Sequence, residues 1–242
     1  MKKLLTIVIL PLCIIALAYL IITSINKPVK FNKEMELRKQ EGIEILKDIR
    51  TLQVTYKSAY NHYAPCMDSL IDFYNNGHII ILTQFGSEDD SLAVAHTEAV
   101  KRNYRNLKGN QLNEKLYELY QAGDKNLIVR LPVPTAVRDT LFNGRVPAFD
   151  PEKLRYIPYS EPDTVIMRTT IKMVSGVEVP LFEAQIPFGF RPAPGEPFRG
   201  LLRGMDEQLI INLNAEREDT GRYAGLMVGS IENANNNAGN WE

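Results

Sequence analysis

Cysteine is scarce, with two residues in a chain of 242, Cys13 and Cys66. Cys13 sits inside a long apolar stretch and Cys66 far outside it, so no disulfide framework is encoded. An excess of one charge is also missing, since 28 basic residues face 29 acidic ones for a formal net charge of −1. Such a chain lacks the positive field that nucleic acid requires, and nucleic acid is excluded as an expected partner. There are three histidines, His62, His78 and His96, and one tryptophan. The sequence has no Gly-x-Ser-x-Gly elbow, no glycine-rich phosphate loop and no paired-histidine zinc motif, so the common catalytic signatures are absent. Hydrophobic residues at 45% and charged residues at 24% describe an ordinary folded protein rather than a disordered or multi-span one.

What is present is one long apolar run at the start. From Leu4 to Ile22 only Thr6 is clearly polar, and at 1.5 Å per residue such a helix nearly spans a hydrocarbon core of about 30 Å. Two readings compete: a cleaved export signal, with Lys2 and Lys3 as its basic leader and Ala16-Leu17-Ala18 as its cut, and a retained anchor. The run continues through Tyr19, Leu20, Ile21 and Ile22 beyond that site, which favours the anchor. Lys27, Lys30 and Lys33 on the far flank nearly balance the leader in the positive-inside rule. The short Lys-Lys leader decides for translocation, giving a single-pass inner-membrane protein with its large domain in the periplasm.

Residues 31–60 contain no proline and one glycine and carry apolar residues at helical spacing. Met35, Gly42, Ile49, Tyr56 and Tyr63 fall seven apart, with Ile45, Leu52 and Ala59 three later, which makes a weak heptad seam. Residues 43–60 are expected to pack on the protein's own sheet. The more charged 31–41 segment leaves self-association or a protein partner open. Asn61 suits a left-handed helix stop, and Pro65 prevents the helix from resuming.

Further on, 68–74 reads as a short helix and 78–83 as a buried strand. Ser87 and Asp90 form a capping-box pattern for a helix through Leu107, and a second helix covers 111–122. From residue 126 the texture turns to β-branched residues and prolines, with strands expected at 127–131, 154–159, 164–173, 177–186, 209–214 and 223–231. Ser175-Gly176 marks a hairpin. Four prolines in 187–197 make that segment a loop, and the Asn-rich tail 233–242 reads as disordered, or else docked through Trp241. The fold class is therefore α+β: an N-terminal transmembrane helix continuing into a long amphipathic helix packed on a mainly antiparallel sheet. Its parts are the anchor 1–26, a membrane-proximal helix 27–63, an α+β domain 64–232 and a polar tail 233–242.

Few residues invite chemistry. His62, Cys66 and Asp68 have the nearest thing to metal-ligand spacing, but a zinc site needs three or four placed donors, and a helix-to-loop junction explains them as well. A Cys66 nucleophile activated by His62 is a weaker version of the same idea. Glu88, Asp89 and Asp90 are the acidic start of a helix, complementing its dipole, rather than a cation site. Arg191, Arg199 and Arg203 around the proline-rich loop either bind an anion or simply solvate the loop, and solvation is preferred. No catalytic, cofactor or metal residue is assigned, and no enzyme activity is expected.

The order of parts, a basic leader, an apolar helix running into an amphipathic one, then a small helix and an antiparallel sheet, resembles type IV pilins and type II secretion pseudopilins. Ile49-Arg50-Thr51-Leu52-Gln53 leading to Tyr60-Asn61-His62-Tyr63-Ala64-Pro65 is similar to the end of their first helix, with Asn61 in the place of a glycine. The glycine before the apolar run and the glutamate at its fifth position are replaced by Lys3 and Val8, so the prepilin cleavage motif is absent. The segments LKDIRTLQVTYKSAYNHYA, LRYIPYS and VPLFEAQIP and the ending NNNAGNWE also resemble a group of uncharacterised single-pass envelope proteins of Gram-negative anaerobes. These resemblances imply a structural or assembly component of a cell-envelope complex. The alternative is a tethered periplasmic binding module for a peptide or glycan.

Overall fold

The computed structural model describes residues 10–242. Lys2, Lys3 and the start of the apolar run lie outside the described residues, as do the positions of Lys3 and Val8. The fold is mixed α+β, with one long N-terminal helix and two antiparallel sheets.

The helix, α1, runs without a break from Leu10 to Tyr60 and passes through Pro28. A helix of 51 residues is about 75 Å long at 1.5 Å per residue. Its two halves differ in what surrounds them. Nine large apolar residues between Leu12 and Ile25 are each 57–69% exposed, whereas Leu46, Ile49 and Leu52 are fully buried. Among the described residues this is the one helix long and apolar enough to cross a membrane. The helix ends where the sequence requires it: Asn61 has φ 62°, the left-handed conformation that asparagine tolerates, and its N–H bonds the Lys57 carbonyl.

The chain divides into two compact units. The first comprises the chain up to Ile71 together with Asp150–Glu242. Its sheet has the order β3 (Ile166–Val174), β4 (Val177–Pro187), β5 (Gly225–Gly229), antiparallel throughout. Ser175 and Gly176 both have positive φ, the geometry of the tight turn that suits the strand twist, so the expected hairpin forms. Phe182, Ile186, Phe188 and Leu201 are fully buried in this unit. Gly42 is the reason α1 comes so close to this core, since a Cβ there would meet Leu226 at 2.7 Å.

The second unit, Asp72–Phe149, contains the second half of α2 (Met67–Asn76), then β1 (His78–Phe85), α3 (Ser91–Asn103), α4 (Asn110–Gln121), β2 (Val129–Ala136) and the single turn α5 (Val137–Thr140). β1 and β2 pair antiparallel from His78↔Ala136 to Phe85↔Val129. One face of this sheet closes over Leu116, Leu127, Val129 and Leu131, with Phe85, Leu112 and Tyr117 packed around them.

Five local expectations are corrected. Residues 78–83 form a strand but not a buried one: no β1 residue is buried and Ile80 and Leu82 are exposed, because the small core packs on the other face of the sheet. Residues 209–214 are not a strand but lie in α6 (Glu207–Asp219), because Asp206 accepts from the Gln208 and Leu209 N–H groups and opens a helix that the Leu-Ile-Ile run then continues. Residues 154–159 form a 3-10 turn (Pro151–Leu154) and a single bridge, Tyr156↔Thr164, since Asp150 and Pro151 favour a helical start. The cap of α3 is Asp90 alone, accepting from Leu92 and Ala93, while Ser87 instead takes the Asp89 N–H. The tail is ordered: Gly229 N donates to Ala238 O, Asn240 N to Met227 O, and Val228 bridges Gly239.

Candidate functional site

Two places in the first unit carry the residues that matter. One is the junction after α1. Gln53, fully buried, clamps the backbone of Ala64 from both sides, donating to its carbonyl at 3.1 Å and accepting from its N–H at 2.8 Å. Arg50 donates to Glu242 at 2.6 Å and to the Asn237 carbonyl, and Tyr63 exchanges hydrogen bonds with the Asn237 side chain. Residues 50–63 thus tie the end of α1 to the following turn and to the C-terminal tail.

The sequence candidates at this junction are dispersed. His62 donates from Nδ1 to the Tyr63 carbonyl at 3.0 Å, because a carbonyl can only accept, and its ring lies against Tyr56 and Tyr60. Cys66 is exposed and its Sγ lies 3.2 Å from Ser69 Oγ; that hydrogen bond, first among the causes, holds the thiol below its ordinary pKa. Asp68 pairs with Arg155 at 2.6 Å. Among the described residues no group of three or more His, Cys, Asp or Glu side chains is arranged to hold a metal ion. In the second unit His96 pairs with Asp124, and Glu88 with Arg130.

The other place is an open groove of about 790 Å³ whose lining includes Glu41, Asp150, Tyr156, Tyr159, Glu161 and Arg203. A buried serine builds it. Ser160 Oγ donates to Asp163 at 2.6 Å and accepts the Gly200 N–H at 2.8 Å, which joins the 156–163 loop to the 199–203 segment. Tyr159 is held at φ 65°, with Arg38 4.3 Å over its ring and its hydroxyl donating to Glu41 at 2.6 Å. The Glu41 carboxylate keeps that hydroxyl protonated and raises its pKa. Asp150 caps the 3-10 turn, and Arg203 donates to the Glu161 carbonyl. What the groove offers is therefore two partly exposed tyrosine rings framed by carboxylates.

The three loop arginines do not converge. Arg191 pairs with Glu207, Arg199 with Asp163 and Glu196, and only Arg203 reaches the groove. Sequence reasoning missed the groove because its walls come from residues near 41, 150–161 and 203, which share no local pattern. The one sequence signal there is the segment LRYIPYS, which carries a resemblance and no chemical motif. Neither family models, nor curated proteins, nor solved structures provide a match to this chain.

Proposed function

We propose that this protein is a membrane-anchored structural or assembly component of a cell-envelope complex, with the layout of a pilin or pseudopilin. The observation that carries the reading is the contrast along α1: its first part exposes an unbroken apolar surface, while its second part supplies buried core residues to a folded unit. A water-soluble protein rarely leaves so large an apolar surface uncovered. In a bilayer the same surface is satisfied. On this reading the helix leaves the inner membrane near Ile22 and continues, packed on its own sheet, into the periplasm. A cleft of about 430 Å³ between Thr23, Ser24 and Pro28 on α1 and Asp206 and Gln208 at the start of α6 supports that level for the membrane surface, since folded protein begins there.

Mild detergent extraction of the tagged protein from its native membrane, with the mass and composition of what co-purifies, tests this. A defined hetero-complex is the expected result. Complete release into the soluble fraction without detergent would refute the anchor, and extraction free of any partner chain would refute the assembly role.

The groove favours a second reading, a tethered module binding a glycan or peptide, because half-open tyrosine rings framed by carboxylates suit stacking against a sugar or a basic side chain. Titration calorimetry of the full chain with envelope glycan fragments and short basic peptides tests it. Heat that disappears in Tyr159→Ala supports it, and no heat from either set removes it.

A further inference from the structure

A sheet edge is a row of unpaired backbone donors and acceptors, and folded proteins guard such rows with charge, proline or a covering segment. The described residues contain two sheets and therefore four edges. Three are guarded. The outer edge of β5 is covered by the C-terminal tail, through Gly229 N to Ala238 O and Asn240 N to Met227 O. β3 carries Arg168 and Lys172, so two such edges would bring like charges together, and the approach to it is covered by the 155–157 segment, Val165 N donating to Arg155 O.

The third guard is found in the small sheet, where the hydrogen-bond phase can be read directly. Val137 N donates to Gly77 O at 3.0 Å, so Gly77 and Val137 are a hydrogen-bonded pair, and alternation makes Ile79↔Thr135 and Ile81↔Val133 bonded pairs as well. His78, Ile80, Leu82 and Gln84 therefore aim their N–H and C=O groups away from β2. On the other strand the outward positions include Pro132 and Pro134, which have no N–H to offer. The outer edge of β2 is blocked, and that of β1 is not.

β1 reads His-Ile-Ile-Ile-Leu-Thr-Gln-Phe, with no formal charge at neutral pH and no proline. Among the described residues no backbone partner covers its outer edge. The same outward residues expose apolar side chains, with Ile80 76% and Leu82 63% accessible, beside exposed Pro132 and Pro134 across the ladder. The strand is thus the one edge with neither charge, proline nor cover, and it is also unusually apolar.

We propose that this edge is the contact between two copies of the chain, β1 pairing antiparallel with β1 of a second copy about a two-fold axis to make a four-stranded sheet. A second copy fits better than an unrelated strand for two reasons on the molecule itself. An uncharged strand brings no like charges together across the axis. With β2 blocked by its prolines, each copy has a single open edge in this sheet, so pairing closes at two rather than growing into a fibre. An axis near Ile81 keeps the outward residues in register and sets Ile80 of one copy opposite Leu82 of the other. The contact rests on one strand per copy, at the small end of specific interfaces, so a reversible dimer with a dissociation constant on the order of micromolar is expected.

This pairing names one partner within the assembly reading proposed above, but its test is separate from that of the anchor. Full-length protein in mild detergent, at about 5 to 200 µM to span the expected dissociation constant, is followed by sedimentation equilibrium with the detergent density-matched. The wild type is expected to pass from monomer to dimer across that range. Ile80→Pro removes one outward N–H, leaves the β1–β2 ladder intact and copies the guard found at Pro134; it should weaken dimerisation at least tenfold. Ile80→Lys adds a charge at an already exposed position and should do the same, and it decides the question if circular dichroism shows that the proline variant has lost its fold. A wild type that stays monomeric throughout overturns the proposal, as does a dimer that survives the folded variants. Either result leaves the anchor to be judged by membrane extraction.

Discussion

At the end of α1 one buried side chain does what several surface contacts could not. The Gln53 amide completes both backbone hydrogen-bonding groups of Ala64 in a site from which water is excluded. Replacing it with methionine keeps the volume but leaves a buried N–H and C=O unpaired, and each such group costs about 1–3 kcal/mol. Gln53→Met is therefore expected to lower stability by about 2–4 kcal/mol in urea unfolding, while Thr51→Ala on the exposed side of the same helix turn stays within about 0.5 kcal/mol. Cys66 illustrates a different residue-level effect. Its thiol is held below the ordinary pKa mainly by the Ser69 hydroxyl. Ser69→Ala should raise that pKa and slow alkylation of Cys66 by iodoacetamide at pH 7.5, with the rates converging at high pH where both thiols are ionised. Equal rates at every pH would show that the hydroxyl contributes nothing.

At the scale of elements, legibility followed locality. The apolar period of α1, its stop at Asn61, the β1 run and the Ser175-Gly176 hairpin are each decided within a few residues, and each was readable. The α6 segment reads as a strand from its short apolar run, Leu209, Ile210 and Ile211, which fits either element; the Asp206 cap makes it a helix. β2 extends through Pro132 and Pro134, which local rules discourage, because their missing N–H groups face outward. The tail was hardest, since what holds it lies almost two hundred residues away. The Arg50 guanidinium keeps the Glu242 carboxyl below its ordinary 4.5, so this contribution is present at neutral pH and is lost as pH falls through the lowered value. Trp241, the sole tryptophan, reports on it. Its emission should hold steady from pH 7 to about 5 and shift to the red only below about 4.5. In Arg50→Met the shift should already be present at pH 7. Superimposable profiles for the two proteins would mean that the Tyr63–Asn237 hydrogen bonds, Asn240 and the backbone bridge dock the tail without the ion pair.

For the whole molecule, the two cysteines left over from any disulfide become a measure of placement. Cys13 lies on the exposed apolar part of α1 and Cys66 on the exposed junction beyond its end, separated by most of the helix. In detergent, where the hydrocarbon is exchangeable and a small maleimide enters, both thiols should react. In spheroplasts a charged, membrane-impermeant maleimide should label Cys66 and spare Cys13, because a charged reagent does not enter the hydrocarbon core. Sparing of both thiols, with labelling of Cys66 restored by lysis, would put the folded units on the cytoplasmic side, as the Lys27, Lys30 and Lys33 flank would favour. Labelling of both without lysis would mean that the apolar half of α1 is not in a bilayer, and its uncovered surface would then need a protein partner along its length. The groove, the Gln53 clamp and the β1 edge are features of the folded units and stand under each of these outcomes, whereas the compartment that supplies their partners changes with the result.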